Sequence, residues 1–287
     1  MRSDKNARVR AIKAVVISDI HMGTYGCKAN ELLNYLKSIS PELLVLNGDI
    51  IDIWQFSKSF FPKSHLKLIR QILKMLDRGT KVFYIPGNHD EALRRFVGLR
   101  FGDFAIENKV VLNLDGKKTW IFHGDVFDVV MHHSKWLAKL GAKGYGILTI
   151  INRFVNGLLN IFGQRKISLS RDIKNAVKGT KSLTTRFERT VADLAIKKGY
   201  DYAICGHIHW PENKTITNHA GSVVYLNSGD WVENLSALEY YNNEWHLKFY
   251  DESTAAPLED EPAIREDFVY PSEKKLFRAM FRDVVSS

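Results

Sequence analysis

Five short clusters in the sequence gather imidazole, carboxylate and amide groups. They are Asp19-Ile-His21, Gly48-Asp49-Ile-Ile-Asp52, Gly87-Asn88-His89-Asp90, His123-Gly-Asp125 and Gly206-His207-Ile-His209. Residues two apart on an extended chain point to the same side. Asp19 and His21 are therefore expected to reach one ion together, and so are His207 and His209. Glycines ahead of Asp49, Asn88 and His207 permit sharp turns and close backbone approach. A mixture of imidazole, carboxylate and amide oxygen suits Mn first, or Fe or Zn, rather than a thiolate-preferring ion. The seven residues Asp19, His21, Asp49, Asn88, His123, His207 and His209 are too many for one ordinary site and suit two divalent ions sharing a carboxylate. Such a pair clamps phosphoryl oxygens and acidifies water, so the chemistry indicated is hydrolysis of a phosphate ester or anhydride. The remaining histidines, His65, His132, His133, His219 and His246, lie outside these clusters and read as ordinary surface or core residues.

Each cluster follows an apolar, β-rich run. Ala14–Asp19, Leu43–Asp49 and Lys81–Ile85 are separated by helical stretches around Glu31–Ile39 and His65–Asp77. This βαβαβ rhythm implies right-handed crossovers and a parallel sheet. Ligands at the C-terminal ends of strands are where α/β sheets place their sites. Further strands are expected at Val110–Leu114, Thr119–Phe122, Tyr202–Ile204 and Val223–Leu226, with a closing hairpin of Ala237–Tyr241 and Trp245–Tyr250 around Asn242-Asn-Glu. A helical insert is expected over about 129–198, with Ile147, Ile150, Ile151, Phe154, Leu158 and Ile161 on one stripe.

The ordered set of clusters resembles the calcineurin-like metallophosphoesterases over about Val15 to Tyr250. That resemblance implies an α/β fold, a four-layer αββα sandwich with the helical insert and with the dimetal site at the strand ends. It implies that Asp19, His21, Asp49 and His209 hold one ion, and that Asp49, Asn88, His123 and His207 hold the other. Gly23-Thr24, Pro86-Gly-Asn-His-Asp-Glu91, His123-Gly-Asp-Val-Phe-Asp128 and Asn227-Ser-Gly-Asp-Trp-Val-Glu233 are similar to the bacterial UDP-2,3-diacylglucosamine diphosphatase branch. The substrate this implies is a lipid-linked nucleotide diphosphate, cut to UMP and an acylated glucosamine 1-phosphate in lipid A synthesis. The insert would then help to form an acyl-chain groove. One departure stands out: that branch usually carries Arg where this chain has His89. By family position His89 is the catalytic acid toward phosphate or leaving oxygen, with Asp52 orienting its ring. Asp90, Asp125 and Asp128 are expected to support metal-bound imidazoles or to cap turns. Asp230 and Trp231 read as a loop-packing pair or a site contact, and Trp210 as a pocket wall.

Charge points the same way. The 287-residue chain carries +9 and has a pI near 9.4, which favours an anionic partner: a phosphorylated substrate, an anionic membrane surface or nucleic acid. Between Arg165 and Lys198 there are ten Lys or Arg against three acids, either a solvated face or a binding face. Arg171, Lys174, Asn175 and Lys178 share helical spacing there and are the candidate substrate contacts. Residues 251–267 read as an acidic linker after a domain ending near 250. Lys274–Val285 reads as a short basic amphipathic segment that packs on the domain or lies on a membrane. Cys27 and Cys205 make no disulfide framework, and residues 1–10 lack an apolar signal core, so a cytoplasmic protein is expected, peripheral on the inner face of the membrane if it meets lipid. The apolar stretch 144–163 is broken by Asn152, Arg153, Asn156 and Asn160, which argues against a membrane-spanning helix. Two alternatives stay open: a phosphodiesterase or nuclease of the same superfamily, and a non-catalytic binding protein on the same scaffold. The sequence shows no basic-aromatic module for single strands, which disfavours nucleic acid. Oligomeric state is not encoded in any motif.

Overall fold

The structure is a computed structural model that describes residues 9–55, 61–127 and 178–252, with backbone only for 178–185. Two mixed sheets form its centre. The first has seven strands in the order β12-β11-β1-β2-β3-β5-β4: β1 Arg10–Ile17, β2 Ile39–Asn47, β3 Lys81–Ile85, β4 Arg100–Phe101, β5 Phe104–Ile106, β11 Ser236–Tyr241 and β12 Glu244–Phe249. The second has five, in the order β6-β7-β8-β10-β9: β6 Val110–Leu114, β7 Lys117–Ile121, β8 Tyr202–Cys205, β9 Glu212–Asn218 and β10 Gly221–Asn227. Strands β1, β2 and β3 run parallel, as do β7, β8 and β10.

Alternation along these strands builds four layers. Ala14, Val16, Val45 and Ile85 of the first sheet pack with Val110, Ile121, Ile204 and Leu226 of the second in a dry core between the sheets. The intervening side chains Val15, Ile17, Leu44 and Leu46 face outward onto α1 (Ala29–Lys37) and α2 (Lys63–Asp77). On the opposite side Ala203, Cys205 and Tyr225 pack on Phe187, Val191 and Ala195 of α3 (Lys178–Lys197). Strands covered on both faces need near-continuous apolar sequence, which Val15-Val-Ile17 and Leu43-Leu-Val-Leu46 supply. This is the αββα sandwich expected above.

Of the expected insert, α3 lies within the described residues. Positions 128–177, with the Ile147–Ile161 stripe and the candidate contacts Arg171, Lys174 and Asn175, lie outside them, as does the side chain of Lys178. The segment Lys274–Val285 is likewise outside. No helix among the described residues is long and apolar enough to cross a membrane.

The core between the sheets brings the two halves of the site together. Ile204 is fully buried there. Ile204→Ala should cost about 2–5 kcal/mol of unfolding free energy. Chemical denaturation measures this; a loss under about 1 kcal/mol would mean that the sheets are not packed as described.

Candidate metal centre

The parallel strands of both sheets end at one edge, and the clusters occupy the loops that leave it. Asp19 and His21 follow β1, Asp49 and Asp52 follow β2, and Asn88, His89 and Asp90 follow β3. His123 follows β7, while His207 and His209 follow β8. Asp19, His21, Asp49, His207 and His209 all have positive φ, between 53° and 64°. Left-handed backbone at a non-glycine residue costs about 1–3 kcal/mol and persists where the surroundings enforce it. Here the loops after β1 and β2 are zipped together by backbone hydrogen bonds, from Asp19 N to Gly48 O, His21 N to Asp49 O and Met22 N to Ile50 O.

This corrects the extended-chain reading of the two Xaa-x-His pairs. Left-handed turns replace the pleat, so His207 and His209 point to different places. His209 groups with Asp19 and His21, and His207 with Asp49 and His123. Asp19 and His21 do share a group, by way of turns rather than pleat. A third grouping places His89 beside His21 and Asp49.

The two carboxylates follow one rule. One oxygen of each is held by a backbone amide and the other faces imidazoles. Asp49 Oδ1 accepts from His89 N (2.8 Å), and its Oδ2 lies 3.4 Å from His123 Nε2 and 4.0 Å from both His21 Nε2 and His89 Nε2. Asp19 Oδ2 accepts from His207 N (3.0 Å), and its Oδ1 lies 3.1 Å from His209 Nε2. Neither carboxylate is appreciably exposed.

Ring tautomers follow from the partners behind. His123 Nδ1 is 2.8 Å from the carbonyl oxygen of Asn47, which can only accept, so Nδ1 carries a proton and Nε2 is the nitrogen that faces inward. Asp52 Oδ2 sits behind two rings, 2.8 Å from His89 Nδ1 and 3.4 Å from His21 Nδ1. His21 Nε2 and His209 Nε2 face each other at 3.3 Å.

These features fit divalent cations. His123 Nε2 and Asn88 Oδ1 are buried without a hydrogen-bond partner among the described residues, an arrangement that is costly unless a ligand completes it. The field of the site also selects positive charge. Burial lowers the pKa of His123, yet the Asp49 carboxylate outweighs it and raises the pKa to about 10. Burial alone would raise Asp19, but His209 beside it brings it down to about 2. Burial likewise opposes ionisation of Asp49 and Asp52, and the imidazoles around each hold both below the usual carboxylate range.

The supporting carboxylates divide by role. Asp90 is fully buried and accepts from Ile50 N (2.9 Å), Gly87 N and the Tyr84 hydroxyl, tying the loop after β3 to the loop after β2. Asp125 pairs with Arg94 at 2.9 and 2.7 Å. Asp230 caps its loop and also lies 3.6 Å from His209 Nδ1. Trp231 is core, its ring tilted 37° against that of Tyr35, while Trp210 is exposed. Asp128 lies outside the described residues. Sequence reasoning missed Trp54, whose ring lies 4.7 Å from that of His89. Its position two residues after Asp52 was the available signal. His65 was also underrated: its Nδ1 accepts from Gly23 N (3.2 Å), holding the loop that follows His21.

Comparison with known proteins identifies the family. The family model for calcineurin-like phosphoesterase matches residues 12–211, and the chain belongs to that family. It is a metal-dependent phosphoesterase, a hydrolase. Among curated relatives, a UDP-2,3-diacylglucosamine hydrolase of Aliivibrio fischeri is 24% identical over 243 residues, covering 80% of this chain and 95% of that one. One of Stenotrophomonas maltophilia is 23% identical over 239 residues, covering 80% and 96%. Among solved structures, an archaeal phosphodiesterase aligns at 14% identity over 83% of this chain and 99% of its own, with a TM-score of 0.40.

Gly206 lacks room for a side chain. A Cβ there would strike the Asp19 carboxylate and the Ser18 side chain. Gly206→Ala should therefore lower the metal content of the purified protein by at least about tenfold while the far-ultraviolet circular dichroism stays native. Undiminished metal content would show that Asp19 is not held as described.

Proposed function

We propose that the protein hydrolyses the diphosphate of a UDP-sugar lipid such as UDP-2,3-diacylglucosamine, using two divalent ions, Mn foremost. The observation that carries this reading is Asp49, whose outward oxygen is shared among His21, His89 and His123 beside the second pair, Asp19 and His209. One ion would be held by Asp19, His21, Asp49 and His209, the other by Asp49, Asn88, His123 and His207. When bound, such ions supply Lewis acidity to phosphoryl oxygens and to water. The substrate class is supported by relatives of that name that match over nearly their whole length. The basic block Arg165–Lys198 supports an anionic lipid ligand, with Arg171, Lys174, Asn175 and Lys178 as its proposed contacts.

The chain's own residues then divide the work. Asp52 Oδ2 stands 2.8 Å behind His89 Nδ1 and orients the ring, leaving Nε2 to donate toward the leaving oxygen. Trp54 walls the ring and limits its rotation. The same Asp52 oxygen faces His21 Nδ1, which turns His21 Nε2 toward the carboxylates. His89 in place of the Arg of the diphosphatase branch favours a second reading, a phosphodiesterase acting on another ester.

The two readings separate in one comparison. Turnover with Mn2+ of UDP-2,3-diacylglucosamine, an aryl phosphodiester and single-stranded DNA is expected to favour the diphosphate. A preference for either of the others would establish the second reading. His89→Ala is expected to lower kcat by about 10²- to 10⁴-fold on a substrate with a poor leaving group and by less on an activated aryl ester. Near-normal turnover on the poor leaving group would remove His89 from the mechanism.

A further inference from the structure

The loop that joins β10 to β11 contributes no proposed metal ligand, yet it touches one of the two ligand groups from two directions. It crosses from the second sheet to the first over Ser228–Leu235. Trp231 N donates to the carbonyl oxygen of Asp19 at 3.1 Å. Asn234 Nδ2 donates to the carbonyl oxygen of His209 at 2.7 Å. Both held residues are left-handed, with φ of 53° and 58°. Both belong to the Asp19, His21 and His209 group, and neither to the group of Asp49, His123 and His207.

The loop is itself stiff. Asp230 Oδ1 accepts from Val232 N, Glu233 N and Asn234 N at 2.6–3.1 Å. Asp230 Oδ2 accepts from Asn234 Nδ2 at 2.6 Å and stands 3.6 Å behind His209 Nδ1. Gly229, at φ +73°, lies where a Cβ would collide with Ser236 and Pro211, so the loop is seated against the segment that follows His209. Ser236 Oγ closes its base on Ser228 O at 2.8 Å.

We infer that this loop is a clasp acting on one ion of the pair, with Asn234 as its positioning residue. Asn234 holds the His209 backbone in the left-handed turn that aims its ring at Asp19, and Asp230 fixes the Asn234 amide. The clasp therefore sets the affinity of the ion at Asp19, His21 and His209 and leaves the ion at Asp49, His123 and His207 nearly unaffected. Groups that orient metal ligands from behind typically change affinity by about 10- to 100-fold when removed.

The inference rests on the two-ion reading, and its test keeps the two apart. Metal-free full-length protein is titrated with Mn2+, and bound ion is counted by equilibrium dialysis for wild type, Asn234→Ala and Asp230→Asn. Wild type is expected to take two ions. Both variants are expected to take one with wild-type affinity and the second about 10- to 100-fold more weakly, with the melting temperature of the metal-free form little changed. Asn234→Gln, which keeps the amide, is expected to recover part of the loss. Two ions bound alike by wild type and variants would overturn the clasp while sparing the two-ion reading. Equal weakening of both ions with a lower metal-free melting temperature would overturn its selectivity. A wild type that binds fewer than two ions would overturn both.

Discussion

Two buried carboxylates and a ring of imidazoles share one space, and that charge distribution governs the rest of the structure. Asp19 and Asp49 are buried to 0% and 2% exposure, and each spends one oxygen on a backbone amide and offers the other to histidines. Buried charge is costly unless it is neutralised. The direction of every pKa shift around Asp19, Asp49, Asp52 and His123 favours positive charge among the carboxylates. Protons can meet that demand; divalent ions, the cofactor type of this family, meet it with chemistry attached.

The scaffold reads as the means of enforcing this arrangement. Five residues of the site hold left-handed backbone that ordinary loops would relax. They are held because the sheets end together, because the loops after β1 and β2 are hydrogen-bonded to each other, and because Asp90 and the β10–β11 loop brace what remains. Asn47 shows the coupling of the two sheets at one residue. At the end of β2, its side chain donates to Phe122 O (3.0 Å), and its carbonyl receives the ring proton of His123.

Much of this was legible in the sequence, for physical reasons that also explain what was not. The runs Lys81–Ile85 and Val110–Leu114 coincide with β3 and β6, whose clustered Val, Ile, Leu, Phe and Tyr stand out from their flanks although each strand is only partly buried. β4 and β5 span two and three residues, too short for any period to show. β9 alternates half-exposed and exposed positions with Lys, Asn and Thr, so it offers no apolar contrast. At the site, residue types marked the ligand clusters, but the pleat was the wrong model for Asp19-x-His21 and His207-x-His209, because backbone handedness is imposed by neighbouring loops. Asn234 was invisible for the same reason: its role depends on a contact with His209, 25 positions earlier in the chain.

The most direct test of the shared-carboxylate account is a crystal of the full chain loaded with Mn2+, with anomalous diffraction recorded at the manganese edge. Two peaks are expected, roughly 3.5–4 Å apart, with Asp49 Oδ2 bonded to both. A single peak, or two peaks of which Asp49 touches only one, would contradict it.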